Sequence, residues 1–485
     1  MTAIRALRQW PQRRRDQLPA ALWDATVIAE VTGGTASADF LVSGVEIDSR
    51  DVRSGDLFVA LRGEVQDGHE FLDAAFANGA TAALVDRAVP YPHVLVEDTM
   101  AALRALATAA RQRTTARIVG VTGSVGKTGV KEAVFAALDR SSRGGAHRSV
   151  RSYNNHVGVP LSLARMAAHT QFGVFEMGMN HAGEIAQLTA QVRPHVALIT
   201  TIAPAHIENL GSIEAIADAK AEIFRGLAPG GTAVIPADVP QFEQLRQAAE
   251  RRGVQILTFG RSAHADVRVM DMIPAANGGS LVTVQFGERR LVYSIAEPGE
   301  HRVINSLAVM AAVHAAGGDM AAAGLALAEM GGLKGRGARH RVNASGGKAL
   351  VIDESYNANP ASMRATLGQL AQTPAGRRIA VLGSMKELGD FADAFHAALA
   401  EPVRDAGLDY LVLVGPEMQA LNRELLRSGI QAVGGKPEFV HCASAAEAVV
   451  QLRQFGLIGG DAVLVKGSNS LGLNKVVDDL IHWDA

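Results

Sequence analysis

The sequence predicts an α/β protein of three domains: a small α/β N-terminal domain, a central, mostly parallel sheet with helices, and a C-terminal doubly wound sheet. Three observations carry this reading. A chain of 485 residues, at about 150 residues per domain, has room for about three cores and the clefts between them. Short apolar runs alternate with helix-period stripes in two long series, at 118–259 and 349–465, as parallel sheets with crossover helices require. Polar and glycine-rich breaks at 111–115 and 331–337 separate these series from each other and from what precedes them.

Composition narrows the class. With 48% hydrophobic and 20% charged residues the chain is globular rather than disordered. The 47 basic and 49 acidic side chains leave a net charge of -2, so no strongly basic domain is available and nucleic acid is not an expected partner. The sole cysteine, Cys442, rules out an intramolecular disulfide and a Cys-rich zinc site and fits a reducing compartment. No apolar run approaches the roughly 18 residues that span a bilayer. A soluble, cytoplasmic protein without a transmembrane segment is therefore expected.

Residues 1–20 form an Arg-rich extension, with Arg5, Arg8, Arg13, Arg14 and Arg15 preceding the first acid, Asp16. Pro11 and the lack of an amphipathic stripe argue against a transit peptide. Residues 21–112 make the first domain, with strand-like runs at 56–61 and 82–85 among glycine turns. A helix closes it, where Leu103, Leu106, Ala107 and Ala110 line one apolar stripe. Residues 113–332 make the central domain, with buried strands at 118–122, 173–177, 196–201, 232–236 and 256–259. A more alternating stretch at 267–295, broken by Gly278-Gly279, predicts appended antiparallel strands. Residues 333–485 make the C-terminal domain, with strands at 349–352, 379–382, 411–414 and 462–465. Asp353, Gly383, Gly415 and Lys466 stand directly after them, where doubly wound sheets gather ligands.

The chemistry begins at Gly123-Ser124-Val125-Gly126-Lys127-Thr128, between a strand and a helix. Glycines let backbone N–H groups curl around phosphate oxygens at the positive helix end. Lys127 adds a point charge, and Thr128 offers a hydroxyl to Mg2+. Val121 stands where the eight-residue form of this P-loop has glycine, so this is the shorter G-x-x-G-K-T form. A GTPase would need Asn-Lys-x-Asp, and Asn474-Lys475-Val476-Val477 lacks the acid. Glu176 ends an apolar strand, within reach of a phosphate-bound Mg2+, although a strand-end acid is equally at home in solvent. His206 follows a strand and precedes a helix. Lys220 falls on the apolar stripe of Ile213, Ile216, Ile223, Phe224 and Leu227. It either snorkels to the surface or stays buried as a neutral, nucleophilic amine.

Together with further strings these residues resemble the ATP-dependent Mur amide ligases of peptidoglycan synthesis, from about Leu22 to the C terminus. The strings are Asp48-Ser49-Arg50, 55–61, Asp67-Gly68-His69, Val130-Lys131-Glu132, 154–160, Glu176-Met177-Gly178, Gly183-Glu184-Ile185 and Ala205-His206. They continue with 219–224, 353–360, 382–389 with His396, and Lys466-Gly467-Ser468. Tyr356-Asn357-Ala358-Asn359-Pro360 and Met385-Lys386-Glu387-Leu388-Gly389 resemble the branch that adds D-alanyl-D-alanine.

The resemblance implies that the N-terminal domain, with Ser49 and Arg50, holds UDP-N-acetylmuramoyl-tripeptide, that the P-loop domain binds ATP, and that a Rossmann-like C-terminal domain closes over both. D-Ala-D-Ala is the second small-molecule substrate, and a monomer is expected. It assigns catalysis to Lys127, Glu176, His206 and Lys220. One Mg2+ falls to Thr128 and Glu176, and a second to His206 and a Lys220 carbamoylated by CO2. Asn305 falls to adenine, Asp353 or Glu354 to ribose and Arg336 to the hinge, while Asn154, Asn155, Asn357, Asn359 and Lys466 fall to the remaining substrate groups. Asn359-Pro360 is also a helix-start signal. Arg302, Glu354 and Asn469 depart from the family's usual asparagine, aspartate and arginine. The alternatives are a sister Mur ligase or a folylpolyglutamate-type synthetase and, outside the class, an ATP-binding regulator without ligase chemistry.

Overall fold

The computed structural model describes residues 21–63, 65–275, 278–428 and 437–482, so the Arg-rich extension lies outside the described residues. The chain divides into two compact units. One runs to Thr115 and adds Pro160–Thr170, and the other combines Ala116–Val159 with Gln171 onward.

In the first unit, β1 (Trp23–Asp24) and β3 (Leu41–Val42) pair, flanking β2 (Thr35–Ala36) in sequence. A second sheet runs β2, β7 (His93–Leu95), β6 (Ala82–Val85), β5 (Asp56–Val59), β4 (Gly44–Glu46), parallel except at β2. The predicted closing helix spans Thr99–Gln112. Asp98 accepts from Met100 N and Ala101 N at its start, satisfying donors that the first turn leaves open. Its stripe, Leu103, Leu106, Ala107 and Ala110, is fully buried. Segment 160–170 joins this core through backbone acceptors: Trp23 Nε1 donates to Ala164 O at 2.9 Å, and Arg165 Nε donates to Val45 O at 2.6 Å.

The second unit opens with the central sheet. Its strands are β8 (Arg117–Thr122), β9 (Ala146–Arg148), β10 (Phe172–Glu176), β11 (Val196–Ile199), β12 (Thr232–Pro236) and β13 (Gln255–Gly260), followed by β14 (Val267–Pro274), β15 (Ser280–Phe286) and β16 (Arg289–Ile295). Among the described residues the order is β16-β15-β14-β13-β12-β11-β8-β10-β9. The strands are parallel from β9 to β14 and antiparallel beyond, as the period-2 stretch predicts. The strand order reverses direction at β8. The loop that follows it therefore opens at the sheet's switch point, where open α/β sheets leave a crevice. Val119, Val121, Val174, Leu198 and Val234 on the strands pack with Val130, Val134 and Leu138 of helix Lys127–Ser141 in one core. Each such burial is worth about 1.5–3 kcal/mol.

The C-terminal sheet runs β17 (Ala338–Ala344), β18 (Gly347–Glu354), β22 (Ala462–Lys466), β19 (Arg378–Gly383), β20 (Tyr410–Val414), β21 (Glu438–Cys442). Only the β17–β18 pair among these is antiparallel. Asp353 and Lys466 belong to the ends of β18 and β22 rather than following them, and Gly383 likewise closes β19. Gly415 does follow β20 directly.

Candidate active site

A cavity of about 1230 Å³ opens at the carboxyl ends of β8, β10 and β11 and is closed on the other side by the ends of β18 and β22. Ser124, Gly126, Lys127, Glu176, His206 and Asn305 face Arg336, Glu354, Asn357 and Lys466 across it. Its size suits a nucleotide with room to spare, since drug-sized ligands fill roughly 300–1,000 Å³.

The phosphate loop has little steric freedom. Gly123 holds φ +144°, and a Cβ there would lie 1.9 Å from Thr200 Oγ1. Gly126, at φ +87°, faces Asn305, whose Nδ2 would be 3.0 Å from a Cβ at that position. Ser124 Oγ donates to Ala203 O at 2.8 Å and accepts from Ala203 N at 2.9 Å, so its hydroxyl fixes the loop. Lys127 folds back to donate to Gly123 O at 2.6 Å. Burial lowers its pKa, while Glu176 and Glu387 draw it back up and Arg336 pushes it further down.

Glu176, 1% exposed, is held by two donors. Thr128 Oγ1 reaches Oε2 at 2.8 Å, and Asn154 Nδ2 reaches Oε1 at 2.7 Å. Asn154 is positioned by Lys131, whose fully buried ammonium donates to Ser149 O and Arg151 O in the loop before it. Asn155 lies in the cavity wall, and its side chain caps Val157 N and Gly158 N.

His206 takes the left-handed conformation at φ 59°. Its Nδ1 faces the carboxylate of Glu387, and that contact lowers the Glu387 pKa. Lys220 is 1% exposed and is not among the residues that line the cavity. Burial, reinforced by the like charge of Lys127, holds its pKa well below the ordinary lysine value. That burial means the snorkelling alternative is not the one realised.

On the C-terminal side, Lys466, 1% exposed, donates to Asn357 O at 2.9 Å and lies 3.6 Å from Glu354 Oε2. Burial lowers its pKa, Glu354 opposes that, and Arg336 reinforces it. The Arg336 guanidinium stacks on Tyr356 at 4.2 Å, and the Tyr356 hydroxyl meets Ser152 Oγ of the central domain.

Three family patterns match in sequence order: "Mur ligase family, catalytic domain" at 41–113, "Mur ligase middle domain" at 121–313, and "Mur ligase, glutamate ligase domain" at 339–469. The chain belongs to the Mur ligase family. Among curated proteins, this Mur ligase is 36% identical to a UDP-N-acetylmuramoyl-tripeptide--D-alanyl-D-alanine ligase of Synechocystis sp., over 92% of this chain and 93% of that one. It is 35% identical to the protein of the same name from Escherichia coli, over 92% and 95%. Among solved structures it resembles MurF from Acinetobacter baumannii with TM-score 0.79 and 30% identity, over 95% and 99%. It also resembles MurF from Thermotoga maritima in complex with ADP, with TM-score 0.72 and 25% identity, over 91% and 97%.

The fold of this Mur ligase brings together most residues that the sequence singles out, with instructive exceptions. Asp353 does not line the cavity: its buried carboxylate accepts from Gly335 N at 2.7 Å and from Ser355 N and Oγ. Of the two acids considered for ribose, only Glu354 faces the space. Asn359 lines the cavity but also caps helix Pro360–Gln372, in a capping box with Ser362. Ser49 and Arg50 lie in the first unit, where Arg50 pairs with Asp48 at 2.6 Å and Ser49 O accepts from Asn78. Glu387 and Tyr356, inside the family-like strings 382–389 and 353–360 but without an expected role, also line the cavity. Ser152 and Glu297 carried no local signal, because their partners are distant in sequence. Among the described residues no helix is long and apolar enough to cross a membrane.

Proposed function

We propose that this Mur ligase joins D-alanyl-D-alanine to UDP-N-acetylmuramoyl-tripeptide at the expense of ATP, giving UDP-N-acetylmuramoyl-pentapeptide, ADP and phosphate. The observation that carries this reading is the convergence of Lys127, Asn305 and the Thr128–Glu176–Asn154 group on one side of a cavity whose other side holds Arg336 and Glu354. Nucleotide and reacting carboxylate can thus meet at a single charged centre. The names of the relatives support the same substrates.

In the first step the tripeptide's terminal carboxylate attacks the γ-phosphorus of ATP, and the bond to ADP breaks to leave an acyl phosphate. In the second, the uncharged amine of D-Ala-D-Ala attacks the acyl carbon. The carbon–oxygen bond to phosphate breaks, and the amine loses a proton as the amide forms. No protein nucleophile is needed, so the chain's contribution is placement and charge. Lys127 and the backbone N–H groups of the phosphate loop hold the phosphates. Asn154 and Thr128 fix the Glu176 carboxylate, and Lys466, in the cavity wall beside Glu354, would offer a cation to a substrate anion.

Among the described residues no three His, Cys, Asp or Glu side chains form a metal cage. Mg2+ nevertheless fits, because it typically takes one or two carboxylates and completes its shell with phosphates and water. Thr128 and the buried Glu176 supply such oxygens for one ion, and His206 with Lys220 would hold the second. Bound Mg2+ neutralises charge that builds on the transferring phosphoryl group. Lys220 suits its role chemically: a neutral amine adds CO2 and releases a proton, turning a poor ligand into an anionic oxygen donor, whereas an ammonium cannot.

The test is phosphate release from ATP with Mg2+ and UDP-N-acetylmuramoyl-tripeptide, with and without D-Ala-D-Ala. Release that depends on the dipeptide, with pentapeptide formed in equal amount, is expected. Equal release in both arms refutes the ligase reading and favours a regulator.

A further inference from the structure

The cavity contains a charged group that the reaction leaves unassigned. Arg302, on the first turn of helix Glu300–Ala315, points away from its own domain's core. Its Nε lies 2.7 Å from Glu297 Oε2, just before that helix. Its Nη2 lies 3.2 Å from Arg336 O in the interdomain linker and 3.4 Å from Glu354 Oε1 at the end of β18. Side-chain exposure is 19% for Arg302 and 12% for both acids, so water screens these charges poorly. The linker is shaped to admit the guanidinium: Gly337 has φ +97°, and a Cβ there would lie 2.3 Å from Arg302 Nη2. Nη1 passes 3.7 Å from where a Cβ would stand on Gly129, in the first turn after the phosphate loop. Glu354 is thus held from two sides, by Arg302 at Oε1 and by Lys466 at Oε2.

We infer that Arg302 is a positioning residue of the nucleotide site: it ties the central domain's helix to the linker and to Glu354, and aims that carboxylate at the hydroxyls of the nucleotide's ribose. A planar guanidinium suits the task because it offers several donors in fixed directions, and a lysine ammonium cannot span the same partners. Without Arg302 the Glu354 carboxylate keeps only Lys466 beside Oε2 and loses its fixed direction in the cavity. The inference rests on the cavity being the ATP site of the proposed ligase.

The test measures equilibrium binding of ATP and of 2′,3′-dideoxy-ATP, with Mg2+, to the full-length protein and to R302M, R302K and E297Q, each first checked for cooperative thermal unfolding. R302M is expected to lose about tenfold in ATP affinity and less than about threefold in dideoxy-ATP affinity, so that discrimination between the two collapses. R302K should recover only part of it. E297Q, which leaves the arginine in place but loosens it, should shift discrimination in the same direction by less. Equal losses for both nucleotides, or unchanged discrimination in R302M and E297Q, overturn the inference and leave the ligase reading intact. Failure of the unmodified protein to bind ATP overturns both.

Discussion

Lys220 shows how a single side chain can be decided by its surroundings. On the stripe of its helix it had two fates, and the structure buries it beside Lys127 with its charge disfavoured. Lys220→Ala is expected to lower the ligase rate on the order of 100-fold, the scale of one lost charge-stabilising group. A short carboxylate such as acetate should restore part of it. Rates measured with and without acetate check this, and full activity in the variant refutes the role. His301 makes a different prediction. Burial first, then Arg302 and Lys466, lower its pKa from 6.5 to about 3. Between those values the unfolded chain binds a proton that the folded chain refuses, so stability falls as pH drops through that window. The slope is up to about 1.4 kcal/mol per pH unit. His301→Asn should flatten this acid limb in urea unfolding series between about pH 4 and 7, and an unchanged limb contradicts the assignment.

At the scale of elements, legibility follows the strength of the local signal. The core strands were visible because parallel strands buried on both faces read as unbroken apolar runs, and β8, β12 and β20 fall within a residue of their expected limits. β9 (Ala-His-Arg) and β21 (Glu-Phe-Val-His-Cys) were missed. They are sheet edges with partly exposed, polar residues, and only pairing with β10 and β20 makes them strands. The phosphate loop was legible in full because its chemistry requires contiguous residues. The Arg302 clasp was not, because its acids are 5 and 52 residues away and only the fold brings them together. Asp353 shows the converse. Its type and place suited ribose, yet Gly335 N of the linker and the N–H and hydroxyl of Ser355 hold its carboxylate instead.

For the whole molecule, the nucleotide cavity draws on both the central and C-terminal sheets, so a ligand that fits stabilises the two together. At 100 times its dissociation constant a nucleotide adds about 2.7 kcal/mol. ATP or ADP with Mg2+ is therefore expected to raise the melting temperature by several degrees in a thermal denaturation series, and no shift with either contradicts the site. The first compact unit is discontinuous in sequence. Residues 160–170, inside the span taken for the central domain, complete the first compact unit. A ribosome releasing this chain from its N terminus has therefore not supplied the whole of that unit when Thr115 emerges. Trp23 and Glu46 wait for Ala164 and Arg165, and by then the first strands of the next unit are already being made. The first unit cannot be transplanted by a single cut, and any chimaera that exchanges it must exchange both pieces.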